Sequence, residues 1–167
     1  MSQCQRQCDW DEAEVCRVCG IDYSPPKALR PFHLAFPVDD IDAAYDFYVD
    51  ILGCAPGRKK EESCVFNFHG HQIVTHRVSE MPSILTNPVD GKTVPAMHFG
   101  LVLEWDDWHM MKAKFESMGL EFVLGPYLRY EGQPGAQATM FIQDPAGNHL
   151  EFKSFKDESG IFDSKWK

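Results

Sequence analysis

An α+β fold made of two copies of one β-α-β-β-β module is expected from this 167-residue sequence. Three observations lead there. The same order of strand-like and helix-like stretches runs through the chain twice, about 65 residues apart. Both helix-like stretches place large apolar residues three and four apart, on one helical face. A histidine also stands near the start of the first strand of each copy, His33 in PFHLAFPV and His98 in AMHFGLVLE.

PFHLAFPV is the first strand. DDIDAAYDFYVDILG follows as a helix with Ile41, Ala44, Tyr48 and Ile51 on one face. Asp39 or Asp40 can cap its start and Gly53 can close its end. Three short strands come next, at residues 57–60, 63–69 and 72–78, with Gly70 at the last turn. MPSILTNPVDGKTVPA reads as a loop, after which the order restarts. MHFGLVLE is a strand. WDDWHMMKAKFESMG is a helix with Trp108, Met111, Phe115 and Met118 facing the core and Gly119 as its stop. LEFVLGPYLRY, QATMFIQ and HLEFKSF are strands separated by GQPG and DPAGN turns. The domain is thus expected over residues 31–156, with module 1 at 31–80, a linker at 81–95 and module 2 at 96–156.

The flanks have a different composition. Residues 1–30 form a Cys-rich extension ending in the proline-rich linker SPPKALRP, and residues 157–167 form a solvated tail. Cys4, Cys8, Cys16 and Cys19 read C-x3-C-x7-C-x2-C. The last pair has zinc-knuckle spacing, so a second, structural Zn2+ competes with an unliganded tail. The polar, acidic start does not read as a signal peptide, and no apolar run approaches the ~20 residues of a bilayer span. A formal charge of −9 disfavours nucleic acid and anionic membranes as partners. The expectation is a cytoplasmic protein with reduced cysteines.

Strand periodicity aims the histidines. Leu34, Phe36 and Val38 alternate with His33, Ala35 and Pro37, and the larger apolar set belongs on the helix side. Phe99, Leu101 and Leu103 alternate in the same way with His98, Gly100 and Val102. In the last strand Leu150 and Phe152 take the helix side, leaving His149, Glu151 and Lys153 opposite. Two imidazoles and one carboxylate would then face a shared concave surface lined by small residues. Two His and one carboxylate are the ligand set of the facial triad, which leaves coordination positions open. Fe2+ or Mn2+ suits it, and so do Ni2+, Co2+ or Zn2+. Gln137, Thr139 and Phe141 share one face of their strand and can line the same hollow.

HLAFPVDDIDAAYDFYVDILG, HFGLVLEWDDW and FIQDPAGNHLEF resemble the vicinal oxygen chelate superfamily, which includes glyoxalase I, type I extradiol dioxygenases, fosfomycin-resistance enzymes and bleomycin-binding proteins. The resemblance runs from about Pro31 to Phe155, and DPAGNHLE is its most specific part. It implies a curved, cup-like mixed sheet with helices outside, often completed as a homodimer. It also implies His33, His98 and Glu151 as metal ligands. The implied activity is metal-dependent chemistry on a small substrate that chelates the ion through vicinal oxygens. Aligning Gly70 with Gly147 puts Val74 where glyoxalase I-like members carry a fourth ligand, which favours a three-ligand, dioxygenase-like site. Gln72 and His76 share the face of Val74, and His76 can tune protonation there. Phe141 stands where extradiol dioxygenases carry a tyrosine, which disfavours ordinary catechol cleavage. Tyr127, Arg129 and Tyr130 can supply other polar contacts, Arg129 to a substrate carboxylate or phosphonate. A glyoxalase-like isomerase or lyase, and a non-catalytic bleomycin-resistance-type binding protein, are the rival expectations.

Overall fold

The computed structural model describes residues 30–89, 91–133 and 136–162. Cys4, Cys8, Cys16 and Cys19, expected as zinc ligands, lie outside the described residues. The chain divides after Phe32, and the unit His33–Lys167 is the one described below.

β1 (His33–Val38) opens module 1. Asp40 then accepts hydrogen bonds from the backbone N–H groups of Asp42 and Ala43, capping α1 (Ile41–Asp46). The helix continues as a π-helical segment, Phe47–Ile51. This wider turn resets the face expected from a 3.6-residue period: Phe47 and Tyr48 are both buried, whereas Ile51 is only half-buried. β2 (Ala55–Lys60), β3 (Ser63–Phe68) and β4 (His71–Arg77) complete the module.

The linker at 81–95 departs from the expected plain loop. It carries a hairpin, β5 (Thr86–Val89) and β6 (Lys92–Pro95). The hairpin's two prolines, Pro88 and Pro95, mask the pattern, because proline is compatible with a short two-stranded ribbon but weakens a strand reading. Module 2 consists of β7 (Phe99–Leu103), α2 (Trp105–Ser117), β8 (Leu124–Arg129), β9 (Gln137–Gln143) and β10 (His149–Phe155). On α2, Trp108 and Phe115 are buried as expected, but Met118 caps the C-terminus and is 48% exposed.

Each module forms a four-stranded mixed sheet, ordered β1-β4-β3-β2 and β7-β10-β9-β8. The first strand of each module pairs in parallel with the last and stands at the sheet edge. One apolar core joins the two modules. Phe36 meets Phe99 at 4.8 Å between ring centroids, Phe68 meets Phe152 at 6.2 Å, and Phe115 meets Phe152 at 5.7 Å. The Trp108 indole adds a 2.9 Å hydrogen bond to the Phe152 carbonyl, satisfying its buried N–H.

The DPAGN turn between β9 and β10 fastens the modules together. The buried Tyr48 hydroxyl donates to Asp144 Oδ2 at 2.9 Å. The Asn148 side-chain amide donates to the same oxygen and to the carbonyl of Pro37 on β1, each at 2.9 Å. A side chain three positions before Glu151 thereby holds the strand that carries His33.

Candidate metal centre

Sheet register fixes what surrounds each candidate ligand. Glu151 lies between Gly100 on β7 and Phe141 on β9. A Cβ at position 100 would sit 1.7 Å from the Glu151 carbonyl oxygen, so only glycine lets the two strands approach at this level. His98 lies just before β7, and its Nε2 is 3.3 Å from Glu151 Oε2. Its Nδ1 is 2.8 Å from the carbonyl oxygen of Pro95. A carbonyl only accepts, so in the neutral ring Nδ1 carries the proton and Nε2 keeps its lone pair, turned toward Glu151. The Phe141 ring packs edge-on against this imidazole at 5.1 Å.

Three donors converge on the Glu151 carboxylate. Thr139 donates its hydroxyl to Oε1 at 2.7 Å, Lys153 Nζ lies 3.3 Å from Oε1, and His98 faces Oε2. Burial alone would raise the Glu151 carboxyl, but hydrogen bonds from His98 and Thr139 and the Lys153 charge outweigh it and hold the group at about 2. His98 moves the other way: its hydrogen bond to Glu151 raises its pKa above the ordinary value. Each group therefore favours the charged form of the other.

His98 and Glu151 are spaced as two ligands of one ion would be. Two cis ligands at metal distances of about 2.1 Å stand about 3 Å apart, close to the His98–Glu151 separation. Metal-bound imidazoles usually donate their other N–H to a carbonyl or carboxylate, as His98 does. His33 is oriented in the same way, with Nδ1 2.8 Å from Oε1 of Gln72, its register partner on β4.

The third expected ligand stands apart. Among the described residues, no set of three His, Cys, Asp or Glu side chains is gathered closely enough to hold an ion. His98 and Glu151 meet within module 2, while His33 is exposed on module 1. Val74 pairs with Ala35 as Glu151 pairs with Gly100, so the fourth position is apolar. Gln72 serves His33 as a hydrogen-bond acceptor. His76 is exposed opposite Pro37.

The expected substrate-contacting residues divide. Thr139 is 2% exposed and is committed to Glu151; Phe141, 3% exposed, is committed to His98. Gln137 is buried one register step further, opposite Arg129. Tyr127 pairs with Thr139 and carries the Lys92 ammonium over its ring at 4.7 Å. Arg129 donates to the Tyr130 hydroxyl at 2.9 Å, and Tyr130 has a left-handed φ of 55° at the strand end. His149 is buried, its Nδ1 lacks a hydrogen-bond partner, and burial lowers its pKa. An apolar cavity of about 350 Å3, bounded by Leu34, Phe36, Met97 and Phe99, reaches both His98 and His149. The role of the Pro95 carbonyl has no sequence signature, because any residue supplies a backbone oxygen.

Comparison with known proteins matches residues 30–152 to the family model Glyoxalase/Bleomycin resistance protein/Dioxygenase superfamily. No curated protein matches the chain. Among solved structures, a glyoxalase/bleomycin resistance protein/dioxygenase from Alicyclobacillus acidocaldarius is 31% identical. The match covers 79% of this chain and 96% of that one, with a TM-score of 0.67. Lactoylglutathione lyase from Agrobacterium tumefaciens is similar in fold at 20% identity, covering 78% and 96% of the two chains with a TM-score of 0.54. The fosfomycin resistance protein FosX from Listeria monocytogenes is similar in fold at 13% identity, covering 77% and 94% with a TM-score of 0.57.

Proposed function

We propose, for a chain that belongs to the Glyoxalase/Bleomycin resistance protein/Dioxygenase superfamily, metal-dependent catalysis on a small substrate that chelates the ion through neighbouring oxygens. The observation that carries this is the donor set: His98 Nε2 and Glu151 Oε2 face each other at 3.3 Å, and the second nitrogen of His98 is engaged by Pro95. When bound, a divalent ion supplies Lewis-acid stabilisation of negative charge developing on the substrate oxygens. Thr139 and Phe141 hold the two ligands in place. His76, exposed on the face shared with Val74, accepts a proton from bound substrate. Tyr130 and Arg129 form the polar rim.

His33 supplies the third ligand from a second copy of the chain. β1 and β7 each end a sheet, and an unpaired strand edge is a template for pairing with another chain. A homodimer that pairs β1 of one copy with β7 of its partner brings His33 of one to His98 and Glu151 of the other. With valine in the fourth position, three protein ligands leave room for substrate and dioxygen, so Fe2+ or Mn2+ oxygenase-like chemistry is favoured over glyoxalase-like isomerisation.

Metal analysis of protein purified without added metal tests this. Wild type should carry about one equivalent of iron or manganese, and His98→Ala should lose it. A protein that binds no divalent ion in either form would instead be a ligand-binding module.

A further inference from the structure

Lys153 does not belong to the ligand set, yet its ammonium lies 3.3 Å from Glu151 Oε1. Its side chain is 29% exposed, and strand parity puts it on the face that carries Glu151. It lies in a row with Thr139 and Tyr127, and the Tyr127 ring holds the Lys92 ammonium. Arg129 comes two residues after Tyr127 on the same strand face. Among the described strand positions of this face in module 2, Glu151 is the one acidic side chain. A chain of formal charge −9 has therefore concentrated cations beside its candidate metal centre.

Metal loading changes what Lys153 faces. In the metal-free protein Glu151 faces both His98 and Lys153. Once the carboxylate is committed to a divalent ion, ion, carboxylate and ammonium together leave the local charge positive. A partly buried cation beside such a centre needs an anion close by. Glu151 cannot serve both, and among the described strand positions of this face it is the one carboxylate.

We propose that Lys153 is a specificity-determining residue that binds an oxyanionic group of the substrate, carboxylate or phosphate, adjoining the oxygens that chelate the metal. This rests on the metal-dependent function proposed above and narrows its substrates to anions. An ammonium with three rotatable donors suits an oxyanion of either geometry. Lys92 and Arg129, further along the same face, extend the positive surface for the rest of an anionic molecule.

Calorimetric titration of the Mn2+-loaded full chain tests the assignment. The probes are glycolate, malate and 3-phosphoglycerate, which share an α-hydroxycarboxylate and differ in carrying nothing more, a second carboxylate or a phosphate. Wild type should bind malate or 3-phosphoglycerate about tenfold or more tightly than glycolate, and the tighter of the two identifies the oxyanion. Lys153→Met and Lys153→Gln should bring all three affinities together, and Lys153→Arg should restore the preference. Mn2+ binding by each variant reports an intact centre. A wild type that binds Mn2+ but shows no preference overturns the proposal and leaves the metal-dependent function standing. So do variants that alter Mn2+ affinity yet keep the preference, because Lys153 would then serve only to hold Glu151. Absence of Mn2+ binding in wild type overturns both.

Discussion

At the residue scale, the Glu151 carboxylate is held from several sides at once. Thr139 and Lys153 hold one oxygen and His98 faces the other. This has a measurable pH signature in the metal-free protein. Glu151 is held at about 2, below its ordinary value of 4.5, so between those values the unfolded chain binds more protons than the folded one. The stabilisation is present above pH 4.5 and is lost as pH falls toward 2, on the order of 3 kcal/mol in all. His98 is raised above 6.5 by its bond to Glu151, so its contribution is present below 6.5 and fades as pH rises through the raised value. Thermal unfolding of apoprotein should thus lose stability on both sides of a mid-acid maximum, and Glu151→Gln should flatten both limbs. Thr139→Val removes one donor at constant shape and should weaken metal binding by about tenfold or more, read by titration of the metal. Thr139 was legible in the sequence as a residue facing the hollow. Its commitment to Glu151 was not, because strand parity says which way a side chain points and not which atom it meets.

At the element scale, the β9–β10 turn does more than reverse the chain. Asp144 receives the Tyr48 hydroxyl and the Asn148 amide, and Asn148 reaches across to the Pro37 carbonyl. Burial raises the Asp144 carboxyl, and both burial and the neighbouring Asp144 raise Tyr48 well above its usual value. Asp144→Ala would strand a buried hydroxyl and should cost roughly 2–3 kcal/mol in denaturant unfolding. Tyr48→Phe combined with Asp144→Ala should recover part of that loss, since the buried Tyr48 hydroxyl is then no longer left unpaired. The DPAGN letters announced a turn. Its cross-module partner was hidden, because Tyr48 reads simply as an apolar-face residue of a helix. The π-helical segment that brings Phe47 and Tyr48 inward together breaks the regular period on which helix prediction relies.

At the scale of the whole molecule, the proposed sharing of ligands between copies predicts complementation. His33→Ala and Glu151→Gln should each abolish tight metal binding. Mixing the two after subunit exchange should restore about a quarter of the wild-type sites, because half the dimers are hybrids and each hybrid regains one intact site. Sites built within single chains would stay dead in the mixture, and metal analysis of the mixed sample separates the cases. The repeated module, the strand faces of His33 and Glu151, and a helix cap at Asp39 or Asp40 could be read from residue order, because each follows from local backbone periodicity or from a side chain reaching its own neighbours. The hairpin in the linker, the choice of Asp40 as cap, the place of His98 just before β7, the Pro95 carbonyl behind it and the separation of His33 from His98 and Glu151 became visible only in the folded chain. They depend on how far apart two sheets come to rest when one apolar core is packed between them, and no repeat in the sequence encodes that distance.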